Sequence, residues 1–230
     1  MIRYLCSPKY FHRWVSALKK PLYLVCLVSF AVGLYSVFIQ LPPDAVQGYT
    51  YRILYIHVPA AVCSLGLYTL VSFLSLTYLI WPLKIADQLA AIAARLGLTF
   101  TILVLITGSL WGKPMWGTWW IWDARLTSML LLAFIYLGYL VLRQALMTHR
   151  KRSTICAIYA CIGFVDLPII HYSVQWWNTL HQGPTLLKFA WPSMHSNMLW
   201  PLLIMMIAFA SYCASMIITT YLNQYPKAIQ

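Results

Sequence analysis

Four histidines lie at the ends of long apolar stretches or in the loop that joins two of these stretches. His57 begins one stretch, His171 ends another, and His181 and His195 lie in the loop that follows. A neutral imidazole is an axial ligand of haem iron and also binds copper and zinc. A single histidine at a helix end is more often an interfacial hydrogen-bonding residue than a ligand. Convergence of two of them would indicate a metal or haem site.

A tryptophan-rich segment lies between His57 and His171 in the chain. Residues 111–122 read WGKPMWGTWWIW. Residues that predict a break at the end of the preceding helix are Gly112, Pro114 and Gly117. From Trp116 onward, the residues with the i, i+3, i+4, i+7 spacing of one helical face are Trp116, Trp119, Trp120 and Asp123, and Trp122 lies beside them. The pattern leaves two interpretations open, an amphipathic helix in the membrane interface and a platform for a flat aromatic ligand.

Charged side chains near this segment have alternative roles. Arg52, Lys113 and Arg125 could pair with the propionates of a haem or with lipid head groups. Asp123 is a preferred helix N-cap, since the next apolar stretch starts directly after it. Two further charges, Arg95 and Asp166, fall inside apolar stretches, where an unpaired charge is costly, and the sequence does not pair them.

The composition indicates which kind of molecule must position these residues. Of the 230 residues, 62% are hydrophobic and 9% are charged, and the mean hydropathy is +0.73. Soluble domains are about 45–50% apolar and about 25% charged, so a water-soluble globule is excluded. The six cysteines contain no C-x-x-C pair, and we predict neither a disulfide framework nor thiol chemistry. We expect an all-α, polytopic membrane protein.

Six stretches are long and apolar enough to cross a bilayer, which takes about 20 residues per helix. The predicted spans are approximately 21–41, 57–81, 88–111, 125–146, 153–171 and 198–222. They form a single membrane domain, 1–230, without internal repeats, in which the tryptophan-rich segment, 112–124, connects the third and fourth spans.

The basic residues predict the orientation of these spans. Eleven Lys and Arg fall on the side of the N-terminus, namely Arg3, Lys9, Arg13, Lys19, Lys20, Lys84, Arg143, Arg150, Lys151, Arg152 and Lys227. The loops on the opposite side hold four, namely Arg52, Lys113, Arg125 and Lys188. The positive-inside rule therefore favours cytoplasmic termini and a periplasmic tryptophan-rich segment. The net charge of +12 is then a topology signal, and no nucleic-acid partner is expected.

Tryptophan is distributed unevenly between the two sides of the predicted bundle. Nine of the eleven tryptophans lie in or beside the outer loops, including Trp176, Trp177, Trp191 and Trp200. An ordinary aromatic belt would enrich tryptophan at both interfaces of the membrane. The excess on one side therefore indicates a ligand or a partner at that side.

Three strings of the sequence, in this order, resemble one known family. They are YRILYIHVPAA at 51–61, WGKPMWGTWWIWDARLT at 111–127 and LPIIHYSVQWWNTLHQG at 167–183. These strings resemble the CcmC family of cytochrome c maturation, which belongs to the tryptophan-rich "WWD" haem-handling proteins. The haem lyases CcmF and CcsA share the tryptophan-rich segment but are longer, so the length and the contexts of His57 and His181 favour CcmC.

The resemblance implies roles for particular residues. It implies that His57 and His181 are the axial ligands of the iron of a transiently bound haem b. The residues that it places in contact with the haem are Trp116, Trp119, Trp120, Trp122 and Asp123. Arg52, Asp123 and Arg125 match positions associated with binding a periplasmic haem chaperone. His171, His195, Arg95 and Asp166 receive no role from it.

The resemblance also implies a function at the bacterial inner membrane. The protein would offer haem to the chaperone CcmE, while the ATP-binding cassette pair CcmA and CcmB, with the small membrane protein CcmD, drives release. No G-x-x-x-x-G-K-[ST] motif is present, so ATP hydrolysis would belong to a partner. We expect haem binding and transfer more than turnover of a substrate, and the sequence leaves open whether such a chain is an enzyme. The residues alone leave two alternatives open: a membrane subunit that carries b-type haem for electron transfer or quinone chemistry, and a copper-delivery protein.

Overall fold

The computed structural model describes residues 8–177, 179–181 and 194–225, and side chains from residue 12 onward. Several residues used above lie outside this description, namely Arg3, Lys188, Trp191 and Lys227, together with the side chain of Lys9. The described part of the chain contains six helical segments that are long and apolar enough to cross a membrane. The prediction of an all-α protein with six spans is therefore confirmed.

The helices follow one another along the chain without strands between them in the described residues. In chain order they are α1 (Pro8–Tyr35), extended by a π-helical turn (Ser36–Gln40), a 3₁₀ turn (Thr50–Ile53), α2 (Leu54–Ile80), α3 (Lys84–Trp116), α4 (Ala124–Ala145), α5 (Arg152–Gly163), α6 (Asp166–Trp176) and α7 (Ser196–Gln224). Because successive spans run in opposite directions, the connections that follow α1, α3 and α6 begin at the same end of the bundle. We call this the tryptophan end.

The end of α3 differs from the prediction. The helix does not break at Gly112 or Pro114 but continues to Trp116. The fixed φ of proline fits a helix, and Pro114 lies in the last turn, so the hydrogen bond that it cannot donate is lost only near the helix end. It ends where Gly117 adopts a left-handed conformation, with φ +75°, and its N–H donates to the carbonyl of Lys113 at 3.0 Å. Residues 117–123 are not helical. The predicted helical face of Trp116, Trp119, Trp120 and Asp123 is therefore wrong.

The fifth span is interrupted between α5 and α6. Pro168 has no N–H to donate to the carbonyl of Phe164, which instead accepts the N–H of Leu167 at 3.1 Å. Asp166 begins α6 at this break and is buried, and neither carboxylate oxygen has a hydrogen-bond partner among the described residues. Arg95 is exposed on α3.

Close packing of α2, α3 and α4 forms the centre of the bundle. The hydroxyl of Tyr136 on α4 donates to the carbonyl of Ser64 on α2 at 2.8 Å, and it lies against Gly97 of α3. A Cβ at Gly97 would fall 2.2 Å from that hydroxyl, so only glycine fits there. Between α2 and α3, the hydroxyls of Ser64 and Thr101 are 2.6 Å apart. Small residues and buried hydroxyls thus hold the helices together where lipid supplies no hydrophobic driving force.

A bidentate ion pair connects α3 and α4 at the opposite end of the bundle. The guanidinium of Arg143 donates to both carboxylate oxygens of Asp87, at 2.5 and 3.0 Å. The two helices are therefore joined at both ends, here by the ion pair and at the tryptophan end by the short segment 117–123.

Candidate functional site

His57 lies in the first turn of α2 and is held by a hydroxyl of α3. Its Nδ1 is 2.9 Å from Oγ1 of Thr107, and that hydroxyl donates its own proton to the carbonyl of Leu103 at 2.7 Å. Thr107 therefore accepts from Nδ1, which must carry the proton of a neutral imidazole. Gly108 makes room for the ring, since a Cβ there would lie 3.2 Å from Cε1 of His57. The lone pair of Nε2 remains free to bind a metal.

His181 lies in the segment after α6 and is held by a carboxylate. Its Nδ1 is 2.7 Å from Oδ2 of Asp123, and a carboxylate can only accept, so Nδ1 again carries the proton. Thr179 also donates its hydroxyl to Oδ2 of Asp123, while Oδ1 accepts the N–H of Leu126 at 2.8 Å. Asp123 therefore caps α4, as predicted, and also orients His181.

The protonation of this pair follows from its surroundings. Burial alone would raise the pKa of Asp123, but the hydrogen bonds from Thr179, Leu126 and His181 outweigh it, and the pKa is lowered. Burial lowers the pKa of His181 more than the carboxylate of Asp123 raises it. The contact is therefore a hydrogen bond from a neutral imidazole to a charged carboxylate. Nε2 of His181 keeps its lone pair at neutral pH, as metal ligation requires.

The tryptophans of the segment point in different directions. Trp116 packs edge-on against His181, with 4.8 Å between the ring centres. Trp120 contacts Trp122 in the same way at 5.5 Å, and its buried Nε1 has no hydrogen-bond partner in the described part of the chain. Trp119 and Trp122 are 55% and 75% exposed. One indole therefore supports a histidine, whereas two project from the surface.

One cavity connects the histidines. It has a volume of about 270 Å³ and lies between α2, α3, α4, α6 and α7. Its polar lining comes from His57, His171, His181 and Arg125, and Trp111 and aliphatic and methionine side chains form most of the remaining wall. Small-molecule sites typically span about 300–1,000 Å³ and are mostly apolar with a few convergent polar groups. The cavity has this character, and its volume lies just below that range.

The three candidate cations are placed differently. Arg125 lines the cavity. Arg52 donates from Nη2 to the carbonyl of Leu41 at 2.7 Å and lies over the ring of Tyr49 at 4.4 Å. Nζ of Lys113 donates to the carbonyl of Gly117 at 3.0 Å and lies 5.8 Å from the ring centre of Trp119. Of the three, only Arg125 is available to an anionic group inside the cavity.

Some site residues were not singled out by the sequence. Thr107 orients His57, and Trp111 lines the cavity beside it, with 5.9 Å between their ring centres. Nothing in the sequence distinguishes Thr107 from Thr99, because both occur in α3 and both donate to a carbonyl of their own helix. His195, by contrast, is exposed and accepts the N–H of Asn197 at the start of α7.

The arrangement suits iron that is already bound in a macrocycle better than a bare metal ion. Among the described residues, no three His, Cys, Asp or Glu side chains are grouped closely enough to hold a metal ion. A porphyrin supplies four equatorial nitrogens, so its iron needs only one or two axial ligands from the protein. Two imidazoles with free Nε2 atoms, an apolar wall and a guanidinium match the iron, the faces and the propionates of a haem.

Sequence comparisons show which known proteins this chain is similar to. A sequence model of the family described as "Heme exporter protein C" matches residues 1–227. The Heme exporter protein C of Escherichia coli (strain K12) is 49% identical over 160 residues, which are 69% of this chain and 65% of that protein. The Heme exporter protein C of Haemophilus influenzae is 43% identical over 183 residues, which cover 80% and 74% of the two chains. The match thus spans just under two thirds of the length of the Escherichia coli relative.

A plant protein gives a match of similar extent. It comes from Marchantia polymorpha, is described as a putative cytochrome c biosynthesis ccmC-like mitochondrial protein, and is 42% identical over 184 residues. These residues cover 80% of this chain and 78% of the plant protein. The similarity thus extends over most of both chains.

Proposed function

This chain belongs to the Heme exporter protein C family, and from that premise we propose that it handles haem for cytochrome c maturation. It binds haem b at the tryptophan end, with the iron between His57 and His181. The cargo is then offered to a haem chaperone of the CcmE type. Energy for release comes from partners, an ATP-binding cassette pair of the CcmA and CcmB type with a small CcmD-type protein.

The observation that carries the proposal is that two imidazoles beside one cavity are oriented in the same way. Each donates from Nδ1, His57 to Thr107 and His181 to Asp123, and each leaves Nε2 free beside the same cavity. Hydrogen-bonded partners of this kind orient metal-ligating histidines and raise their basicity. Two such imidazoles provide the axial ligands of a six-coordinate haem iron.

The other groups at the site have complementary roles in this proposal. Arg125 binds a propionate, for which a planar guanidinium is well suited. Trp116 supports His181, and Trp111 covers part of the porphyrin. The exposed Trp119 and Trp122 form the surface that meets the chaperone or the porphyrin edge. Arg52 and Lys113, which do not line the cavity, contribute to partner binding.

The tryptophan end faces the periplasm in this proposal, and the chain lies in the bacterial inner membrane. Its contribution to loading the chaperone is positioning, since holding two reactants in register can remove several kcal/mol of barrier. The polar side chains that line the cavity are those of His57, His171, His181 and Arg125. Two of them serve as iron ligands and one as a propionate partner, so general acid–base chemistry is not required.

Absorption spectra of the purified protein test the proposal. The wild type should carry haem with a six-coordinate spectrum, and the His57→Ala/His181→Ala double variant should lose that spectrum and retain less haem. The control is His195→Ala, because His195 is exposed and only caps α7, so the spectrum of this variant should match the wild type. A double variant with the wild-type spectrum would remove the ligand assignment. Haem that cycles between redox states without moving to an added chaperone would favour an electron-transfer subunit instead.

A further inference from the structure

We propose that His171 is a reserve ligand of the haem iron, which takes the axial position of His181 when that residue releases it. The inference rests on the proposed function and assigns a role to a third histidine of the same site. His171 lies in α6, lines the cavity together with His57 and His181, and is ten residues from His181 in the chain.

The ring of His171 is held differently from the other two. Its ring contacts that of Tyr172 edge-on, at 4.7 Å between ring centres, and it makes no hydrogen bond to another described residue. By contrast, His57 and His181 are each oriented by a hydrogen bond to Nδ1. A half-buried imidazole without such a bond can turn about its side-chain torsions. The ring of His171 can therefore turn toward the iron when His181 releases it.

His181 is the ligand that is suited to leave. It lies in an irregular segment after the end of α6, whereas His57 lies within α2 and is packed against Gly108 of α3. Irregular segments open at lower free-energy cost than packed helices. Transfer of haem requires that one axial ligand be displaced, and His181 also depends on Asp123, which lies at the surface segment that a partner would meet.

His171 and His181 bind the iron alternately in this scheme, not together. A porphyrin iron has two axial positions, and His57 occupies one of them. The described residues contain no group of three potential ligands close enough for one metal ion, so simultaneous ligation by three histidines is not built into the fold. Exchange keeps the iron six-coordinate, which retains the cargo in the cavity until an acceptor takes it.

Spectra of haem-loaded full-length variants test this exchange. His181→Ala should keep a six-coordinate, low-spin spectrum, because His171 takes the vacant position. His171→Ala/His181→Ala should shift to a five-coordinate, high-spin spectrum in absorption and resonance Raman. The matched control, His181→Ala/His195→Ala, also lacks two histidines of the tryptophan end but should remain six-coordinate, because His195 does not line the cavity.

Added imidazole separates loss of a ligand from loss of the fold. Free haem also binds two imidazoles, so unbound haem is first removed by gel filtration. Added imidazole should then restore the six-coordinate spectrum of the haem that co-elutes with His171→Ala/His181→Ala, whereas a misfolded cavity would retain no haem. If that variant does not fold, His171→Gln/His181→Ala replaces it, since glutamine keeps the polarity without an imidazole.

Two outcomes overturn the inference. One is a five-coordinate spectrum in His181→Ala alone, and the other is a six-coordinate spectrum in His171→Ala/His181→Ala without added imidazole, which would indicate another ligand such as the thioether of Met206. Neither outcome affects the proposed function, which fails instead if the wild type binds no haem.

Discussion

Asp123 links the local fold to the candidate site through its two carboxylate oxygens. One accepts the N–H of Leu126 and caps α4, and the other accepts Nδ1–H of His181. The sequence predicted the cap, because Asp is a preferred N-cap before an apolar stretch. The bond to His181 joins residues 58 positions apart, and no local pattern indicates it.

Thr107 should control the affinity for haem through His57. Replacing it with valine removes the acceptor of the Nδ1 proton while nearly preserving the volume, so we expect the affinity to fall about 10–100-fold. Thr107→Ser keeps the acceptor and should retain most of the affinity. Thr99→Val is the matched control, since Thr99 makes the same bond within α3 but is exposed. Titration of the purified apoprotein with haem measures the difference, and an equal loss in both valine variants would contradict it.

The burial of His181 predicts how acid affects haem binding. A free imidazole has a pKa of about 6.5, and the pKa of His181 is lowered, so this side chain stays neutral at that pH. Haem affinity should therefore fall less between pH about 7.5 and about 6.5 than it would for a free imidazole, and the main decline should come in more acid solution. Below pH about 6.5, His181 binds a proton more readily in the unfolded chain than in the folded one. Acid therefore also lowers the stability of the folded segment around His181. A loss of affinity that is already largely complete at pH about 6.5 would count against the assignment.

At the scale of elements, the connection between α3 and α4 shapes the site. Gly117 ends α3 in the left-handed conformation, and Asp123 begins α4 with its cap. The segment is therefore fixed at both ends although it is not helical. Its geometry brings Trp116 and Asp123 to two sides of His181.

Gly117→Ala should destabilise this connection. A side chain in the left-handed region costs about 1–2 kcal/mol, and a shift of the turn would move Asp123 away from His181. We expect a lower unfolding midpoint in detergent and weaker haem retention. Gly66→Ala is the control, because Gly66 lies within α2 and a Cβ there meets nothing within 4 Å. Equal stability of the two variants would show that the conformation of Gly117 is not required.

At the scale of the whole molecule, six spans place the loops at alternating ends. The segment 117–123 lies at one end, and the connection 146–151 between α4 and α5 lies at the other. The orientation relative to the cytoplasm and the extent of the single domain over 1–230 stay predictions.

Labelling of introduced cysteines tests the orientation. Trp122 and Met147 are 75% and 60% exposed, so cysteine at either position is accessible to a reagent. A membrane-impermeant maleimide should label Trp122→Cys in intact spheroplasts, and it should label Met147→Cys only after the membrane is opened. Labelling of the chain without an introduced cysteine measures the background from its native cysteines. The reverse pattern would invert the topology, and labelling of both in intact spheroplasts would contradict the six-span arrangement.

The amino-acid sequence by itself determined the class of the protein, the number of spans and the cap at Asp123. These features depend on composition, length and nearest neighbours along the chain, which periodicity and turn chemistry report directly. It also indicated that histidines and tryptophans collect at one end. The sequence was wrong about the helix after Trp116, because the helical spacing of the aromatic residues does not outweigh a left-handed glycine between them.

Only the tertiary structure decided which residues meet. It brought His57, His171 and His181 to one cavity and paired His57 with Thr107. It also placed Arg125 in the wall of that cavity and Arg52 and Lys113 outside it. These contacts join separate helices, and their positions depend on how Gly97 and Gly108 let the helices and side chains approach. Packing of this kind is a property of several segments at once, so no single stretch of the chain encodes it.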